Sequence, residues 1–399
     1  MQDSYIIDGI RTAIGSFRGT LAAVRTDDLA AHVLRELLKR HDHLDPALID
    51  DVILGCANQA GEDNRNVARM ALLLAGIPWS VPGETVNRLC ASGMAAVVHA
   101  HRAIQTGDGD IFISGGVENM SRGPWVISKT SQPFGSDVEM HDSSFGWRFI
   151  NPRMKELYGT EAMGETAENL AEMYKISRED QDQFAFHSQR KTREGAERLA
   201  EEIVAVQIPR KKQDPLIFDK DEFAKGQTNI AGLAALKPAF REGGSVTAGN
   251  SSGLNDGAAA VLIASEFGVR QHNLKPLARI LATAVVGVEP RIMGIGPVGA
   301  SQKALKKAGL TLDDMGIIEI NEAFAAQVLA CTRLLNLADD DSRINVNGGA
   351  ISIGHPLGMS GARLILTAAR SLQRMDKRYA LATMCIGVGQ GYAVVLEKV

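Results

Sequence analysis

The sequence repeats its own plan once. Gly358-Met359-Ser360-Gly361-Ala362 opens an apolar, helix-forming run much as Cys90-Ala91-Ser92-Gly93-Met94 does, and Gly93 and Gly361 stand 268 positions apart. At that shift the apolar segment Ile111–Ser114 falls on the equally apolar Tyr379–Ala382, and Ile317–Ile320 follows an Asp-Asp pair as Val52–Leu54 does. The likeness is weak residue by residue but keeps its order. So long a period predicts a duplicated domain rather than a solenoid. Within the first copy, residues 5–8, 51–55 and 110–114 read as short strands, the last ending at Gly115-Gly116. Residues 28–40 and 66–75 read as helices, the second stopped by Gly76 and Pro78. Alternating short strands and helices predict an α/β fold with a largely parallel sheet.

The two copies differ in one respect. Gly391–Leu396 (GYAVVL) closely follows Cys385, whereas its best counterpart, Gly257–Leu262 (GAAAVL), lies far beyond the strand at 111–114. The first copy is therefore expected to be interrupted by an insertion, residues 122–252, with flanking halves 1–121 plus 253–274 and 275–399. The insertion is polar, carries Pro124, Pro133, Pro152 and Pro215, and includes a charged helix over about 178–202. An insertion at the C-terminal edge of a parallel sheet is well placed to hold a ligand over a site.

Composition excludes several classes of function. A net charge of −4 argues against a nucleic-acid binder, and 45% hydrophobic with 23% charged residues predicts a soluble globular protein. The four cysteines, Cys56, Cys90, Cys331 and Cys385, form no C-x-x-C pair, so neither a zinc site nor a disulfide framework is expected. No apolar run reaches membrane-spanning length, and no signal, transit or peroxisomal address is evident, so a cytoplasmic protein is expected. No G-x-G-x-x-G follows the first strand, which disfavours a nucleotide-dependent dehydrogenase.

Four stretches could carry chemistry: Cys90; Asn321-Glu322-Ala323-Phe324; Asn347-Gly348-Gly349 through His355 to Gly358; and Cys385-Ile386-Gly387-Val388-Gly389. Each lies at a strand end or helix start, and in doubly wound sheets such ends face one crevice. Cys90 sits where an extended segment feeds a helix, and a helix N-terminus favours a thiolate. The plainer reading is a small core residue, for Cys90 and Cys385 alike. The duplication would bring Cys90 beside the 355–361 segment. Two cysteines and a histidine suit acyl transfer through a thioester: a thiolate attacks, an imidazole moves protons, and a second thiol serves as acid or base.

IRTAIGSFRG, NRLCASG, GGVENMS, TAGNSSGLNDGAAA, NEAFA, NGGAISIGHPLGMSGAR and CIGVGQG occur in this order. On these motifs the chain resembles the thiolase family over nearly its whole length. The resemblance implies two duplicated five-stranded, mixed-sheet halves in an α/β/α/β/α body, with the inserted segment as a loop domain over the site. It implies Cys90 as nucleophile, His355 as its activator, Asn321 as holder of a catalytic water, and Cys385 as acid/base toward the acetyl-CoA α-carbon. The N–H groups of Cys90 and Gly387 would form an oxyanion hole. Met163, Ala239, Phe240, Ala248, Ser252 and Phe324 match positions that contact pantetheine, with core packing an equal reading for Ala239 and Phe240. Lys225 falls near a basic position at the adenine end, while Arg210-Lys211-Lys212 reads as a solvated charge run.

Coenzyme A is implied as co-substrate, with no permanently bound cofactor or metal. Acyl-CoA partners and a homodimer or homotetramer are also implied. Ala162 replaces the histidine of short-chain acetoacetyl-CoA thiolases. GCANQAGEDNRNVARMALLLAGIP and GWRFINPRMKELYG instead resemble the 3-oxoadipyl-CoA thiolases, whose substrate carries a distal carboxylate that calls for a cation, Arg148 or Arg153. An acetoacetyl-CoA or general 3-ketoacyl-CoA thiolase, a decarboxylating condensing enzyme and a non-catalytic acyl-CoA or lipid carrier remain as alternatives.

Overall fold

The computed structural model describes residues 2–399. The first half comprises β1 (Ser4–Thr12), α1 (Thr26–Arg40), β2 (Asp51–Gly55), α2 (Val67–Ala75), β3 (Gly83–Val86), α3 (Ser92–Thr106) and β4 (Ile111–Asn119). After an excursion that contains α4 (Met163–Met173) and α5 (Arg178–Glu194), it closes with β5 (Asn255–Ser265). The second half follows as β6 (Ala278–Gly287), α6 (Gly296–Ala308), β7 (Met315–Ile320), α7 (Ala325–Leu334), α8 (Leu357–Arg374), β8 (Tyr379–Ile386) and β9 (Gln390–Lys398).

The strands hydrogen-bond in the order β7-β8-β9-β6-β1-β5-β4-β2-β3, the halves meeting where Tyr5 and Ile6 of β1 pair with Arg279 and Ala278 of β6. Only β2 with β3, β2 with β4, and β7 with β8 run parallel along this path; the other five pairings are antiparallel. The sheet is thus mixed, not largely parallel as the strand–helix alternation suggested. The reason lies in the returns. β8 reaches β9 through Gly387–Gly389, and so short a turn can join only antiparallel strands. In the first half the same return, β4 to β5, is opened out to admit residues 120–254. In the second half the fifth strand position is held by a single bridge, Ile318 to Ile344.

Two local readings change. β4 does not stop at Gly115-Gly116 but runs through both. A side chain at Gly115 would strike the backbone of Ala259, and one at Gly116 the carbonyl of Gly358, so the glycines admit neighbouring backbone rather than end the strand. The charged helix expected over 178–202 breaks at Gly195, which packs on Asn347 so closely that a Cβ would lie 3.1 Å from its Cα.

Three buried clusters define the layers. One joins α3 and α8 to the inner faces of both half-sheets, through residues such as Met94, Val97, Ile365 and Leu366. A second lies under α1 and α2, and a third under α6 and α7. The excursion reaches all three: Leu170 and Phe184 join the third, Val206, Ile208 and Phe218 join the second, and Leu199 joins the first. It is pinned to β1 by Arg11, fully buried, which grips Asp221 at 2.7 and 2.9 Å and Glu202 at 3.2 Å.

The middle layer sets up the site. At Gly93 a Cβ would lie 2.5 Å from the Gly358 carbonyl oxygen, and at Gly361 it would collide with the Met94 backbone. The two equivalent helices therefore cross backbone to backbone at the glycines that mark the repeat. Gly93 is three residues after Cys90 and Gly358 three after His355, so this crossing draws the two loops together. Among the described residues, no helix is long and apolar enough to cross a membrane.

Candidate active site

Cys90 lies in the tight turn between β3 and α3. Leu89, immediately before it, holds a left-handed conformation (φ 47°), and Val388 beside Gly387 does the same (φ 63°). Such strain in non-glycine residues persists only where the surroundings enforce it. The Leu89 N–H is held by Asn87 Oδ1 at 2.9 Å, and the N–H groups of Ala91 and Ser92 are spent on the carbonyls of Arg88 and Leu89. The donors that reach the Cys90 sulfur are instead the N–H groups of Gly387 and of Cys90 itself. Although Cys90 keeps some solvent contact, its sulfur is enclosed, and this burial pushes the thiol up despite both donors. The helix N-terminus does not produce a resting thiolate, contrary to the expectation from sequence.

Cys385 is the penultimate residue of β8, buried, and two positions before Gly387. Burial drives its thiol well up, and the nearby Cys90 adds to the effect. It packs in a small apolar cluster with Phe324 and Met163, and the Met163 sulfur lies 3.6 Å from where a Gly387 Cβ would be. Cys90, Cys385, Gly387, Met163 and Phe324 are thereby brought together.

His355 is 5% exposed. Its backbone N–H donates to Asn255 Oδ1 at 2.9 Å. Its Nδ1 meets Ser360 Oγ at 2.6 Å, and that hydroxyl already donates to the Pro356 carbonyl at 2.8 Å. The Ser360 oxygen must therefore accept, which places the proton on Nδ1 and leaves a lone pair on Nε2. Asn321 Nδ2 donates to this Nε2 at 3.3 Å, and the buried Asn321 Oδ1 has no partner among the described residues. Burial first, then Arg363, pushes the imidazole down to about 3, so His355 rests neutral. Asn321 is held from behind by its neighbour Glu322, which accepts from Ser188, Asn345 and the Ile351 N–H.

The remaining candidates scatter around this centre. Lys225 and Ala248 share the lining of an open cavity of about 180 Å³ with Gln189, Phe223 and Ile351. Ser252 donates its N–H to the Ala323 carbonyl. Ala239 and Phe240 are exposed, which removes the core-packing reading; Phe240 meets Phe324 edge to face at 5.9 Å. Arg148 is half-buried, makes no ion pair among the described residues, and donates to Asn58 Oδ1 and the Ser143 carbonyl. Arg153 is exposed on a short helix.

Sequence reasoning missed Ser360, Asn255 and Glu118. Glu118 lies inside the GGVENMS motif, but its partners are remote in sequence and only the folded chain brings them to it. It accepts N–H groups of Ala57, Asn58 and Gly358 at 2.9, 3.0 and 2.8 Å, although burial pushes its carboxyl up to about 7. Cys56, Asp63 and Glu118 cluster closely enough to suggest metal ligands. Their oxygens are already taken, those of Glu118 as described and those of Asp63 by Cys56 Sγ and the Gln59 and Gly61 N–H groups.

Comparisons with known proteins cover the whole chain. Residues 4–267 match the thiolase N-terminal domain and residues 274–398 the thiolase C-terminal domain. The chain is 57% identical to the 3-oxoadipyl-CoA/3-oxo-5,6-dehydrosuberyl-CoA thiolase of Escherichia coli and 55% identical to a beta-ketoadipyl-CoA thiolase of Acinetobacter baylyi, each over the full length of both chains. Among solved structures, the acetyl-CoA acetyltransferase of Bacillus anthracis superposes with a TM-score of 0.92 at 39% identity, covering 100% of this chain and 99% of that one. With both domains matched in order and full-length relatives above half identity, the chain belongs to the thiolase family.

Proposed function

We propose that this protein is a degradative thiolase that cleaves 3-oxoadipyl-CoA with coenzyme A to succinyl-CoA and acetyl-CoA. The Cys90 sulfur attacks the 3-oxo carbon while its proton passes to His355 Nε2. The C2–C3 bond breaks, its electron pair stays on C2 of the departing acetyl-CoA, and the Cys385 thiol protonates that carbon. Coenzyme A then gives its thiol proton to Cys385, its sulfur attacks the acyl-Cys90 carbonyl, and the proton on His355 returns to Cys90. The water held by Asn321 Oδ1 and the N–H groups of Cys90 and Gly387 stabilise the developing oxyanions. Such a donor is commonly worth about 3–4 kcal/mol in transition-state stabilisation. What carries the reading is the nearness of two thiols from different halves, together with the helix crossing that draws the Cys90 and His355 loops toward each other; the imidazole proton is held on Nδ1, which leaves Nε2 as the acceptor.

The choice of a dicarboxylyl substrate rests on the beta-ketoadipyl-CoA relatives and on Arg148, a half-buried guanidinium without a carboxylate partner among the described residues. A panel of acetoacetyl-, medium-chain 3-oxoacyl- and 3-oxoadipyl-CoA tests it by thiolysis rate. Highest kcat/KM is expected for 3-oxoadipyl-CoA, with that preference reduced in Arg148→Ala. Equal rates across the panel would refute the substrate, and thiolysis surviving Cys90→Ala would refute the chemistry.

A further inference from the structure

Two stretches remote in sequence meet in the structure: GCANQ at the end of β2 and GWRF in the excursion. They are 90 positions apart, and they touch at one hydrogen bond: Arg148 Nη2 donates to Asn58 Oδ1 at 3.1 Å. Asn58 Nδ2 donates in turn to Ser143 Oγ at 3.3 Å, and the Ser143 carbonyl accepts from Arg148 Nη1 at 3.3 Å. Two acceptors, themselves tied together by the Asn58–Ser143 bond, thus hold the guanidinium in one orientation without neutralising it.

The same short segment also holds the catalytic loops. Asn58 and Ala57 give their N–H groups to Glu118, whose Oε2 also accepts from Gly358, three residues beyond His355. The Ala57 carbonyl accepts from Asn87 Nδ2 at 3.0 Å, and Asn87 Oδ1 holds the strained Leu89 next to Cys90. Ala57-Asn58 is therefore bonded at once to the nucleophile loop, to the acid that anchors the histidine loop, and to Arg148.

We propose that Asn58 is a specificity-determining positioning residue: it orients Arg148 to receive the distal carboxylate of the acyl chain and fixes that guanidinium in register with the Cys90 and His355 loops. This inference rests on the 3-oxoadipyl-CoA reading. A bidentate guanidinium–carboxylate contact is directional, so an arginine free to swing loses selectivity even though its charge remains.

Asn58→Ala tests this, because it removes the side chain and leaves the N–H bond to Glu118. Its kcat/KM for 3-oxoadipyl-CoA is expected to fall roughly tenfold or more, chiefly through KM, with acetoacetyl-CoA thiolysis within about twofold of the parent. Asn58→Asp, which sets a competing carboxylate against Arg148, should lose more on the dicarboxylyl substrate alone. In an Arg148→Ala background, Asn58→Ala should have little further effect. Equal losses on both substrates, no loss on either, or full additivity with Arg148→Ala would each overturn the proposal. If Arg148→Ala itself leaves the substrate preference unchanged, the 3-oxoadipyl-CoA reading fails instead.

Discussion

Asn321 and His355 meet through Nδ2 and Nε2 at 3.3 Å, with the imidazole's other nitrogen bound to Ser360 at 2.6 Å. One ring nitrogen is fixed as donor and the other as acceptor, so the base is ready before substrate arrives. That readiness depends on Ser360, whose hydroxyl bonds the ring and the Pro356 carbonyl.

Ser360→Ala should therefore lower kcat about five- to tenfold while KM stays within about twofold, the size expected for one lost hydrogen bond that selects a tautomer. Steady-state thiolysis measures both constants. An unchanged kcat would show that the ring needs no such partner.

The resting pair is a thiol and a neutral imidazole, since burial raises Cys90 and holds His355 at about 3. Alkylation of Cys90 by iodoacetamide should accelerate steadily with pH and show no plateau below 9.0, the ordinary thiol value. A reactive species already saturated near pH 7 would indicate a preformed ion pair.

The crossing of α3 and α8 leaves no room for a methyl group at Gly93. Gly93→Ala should destabilise the protein by about 1–3 kcal/mol by forcing the helices apart. It should also lower kcat, because the Cys90 and His355 loops separate with them. Thermal melting and thiolysis rate should fall together; a melt like the parent's would contradict the close contact.

His101, buried with its Nδ1 on Ser4 Oγ at 2.7 Å, is held down to about 4 by burial and by Arg102. Near pH 5 the unfolded chain binds a proton here that the folded chain refuses, so stability falls as pH drops from 6.5 toward 4. The shift corresponds to roughly 3 kcal/mol once pH is below both values. Comparing urea midpoints at pH 7.5 and pH 5 should show a smaller acid loss in His101→Gln than in the parent. Identical losses would place the acid sensitivity elsewhere.

The repeat around Gly93 and Gly361 was legible because it is written in residue types that close helix packing demands, and the thiols and the histidine stood at strand ends where chemistry concentrates. Strand direction was less legible. Apolar runs such as Gly257–Leu262 are equally compatible with either direction, and only the length of the connection decides. The pKa of Cys90 was misread for a similar reason: the helix start is local and visible, but the atoms that enclose the sulfur come from remote segments. Ser360 and Glu118 act through partners that only the folded chain supplies, so their residue types alone carried no signal.

The repeat also limits how much chemistry one chain can do. Counting 268 places from Cys90 arrives at Gly358, and counting the same distance back from His355 arrives at Asn87. Gene doubling thus supplied two scaffolds and one reactive centre, the mirror position having neither sulfur nor imidazole. Each polypeptide can accordingly carry a single acyl group at a time, and a rapid-quench burst with excess substrate should level off at one equivalent per chain.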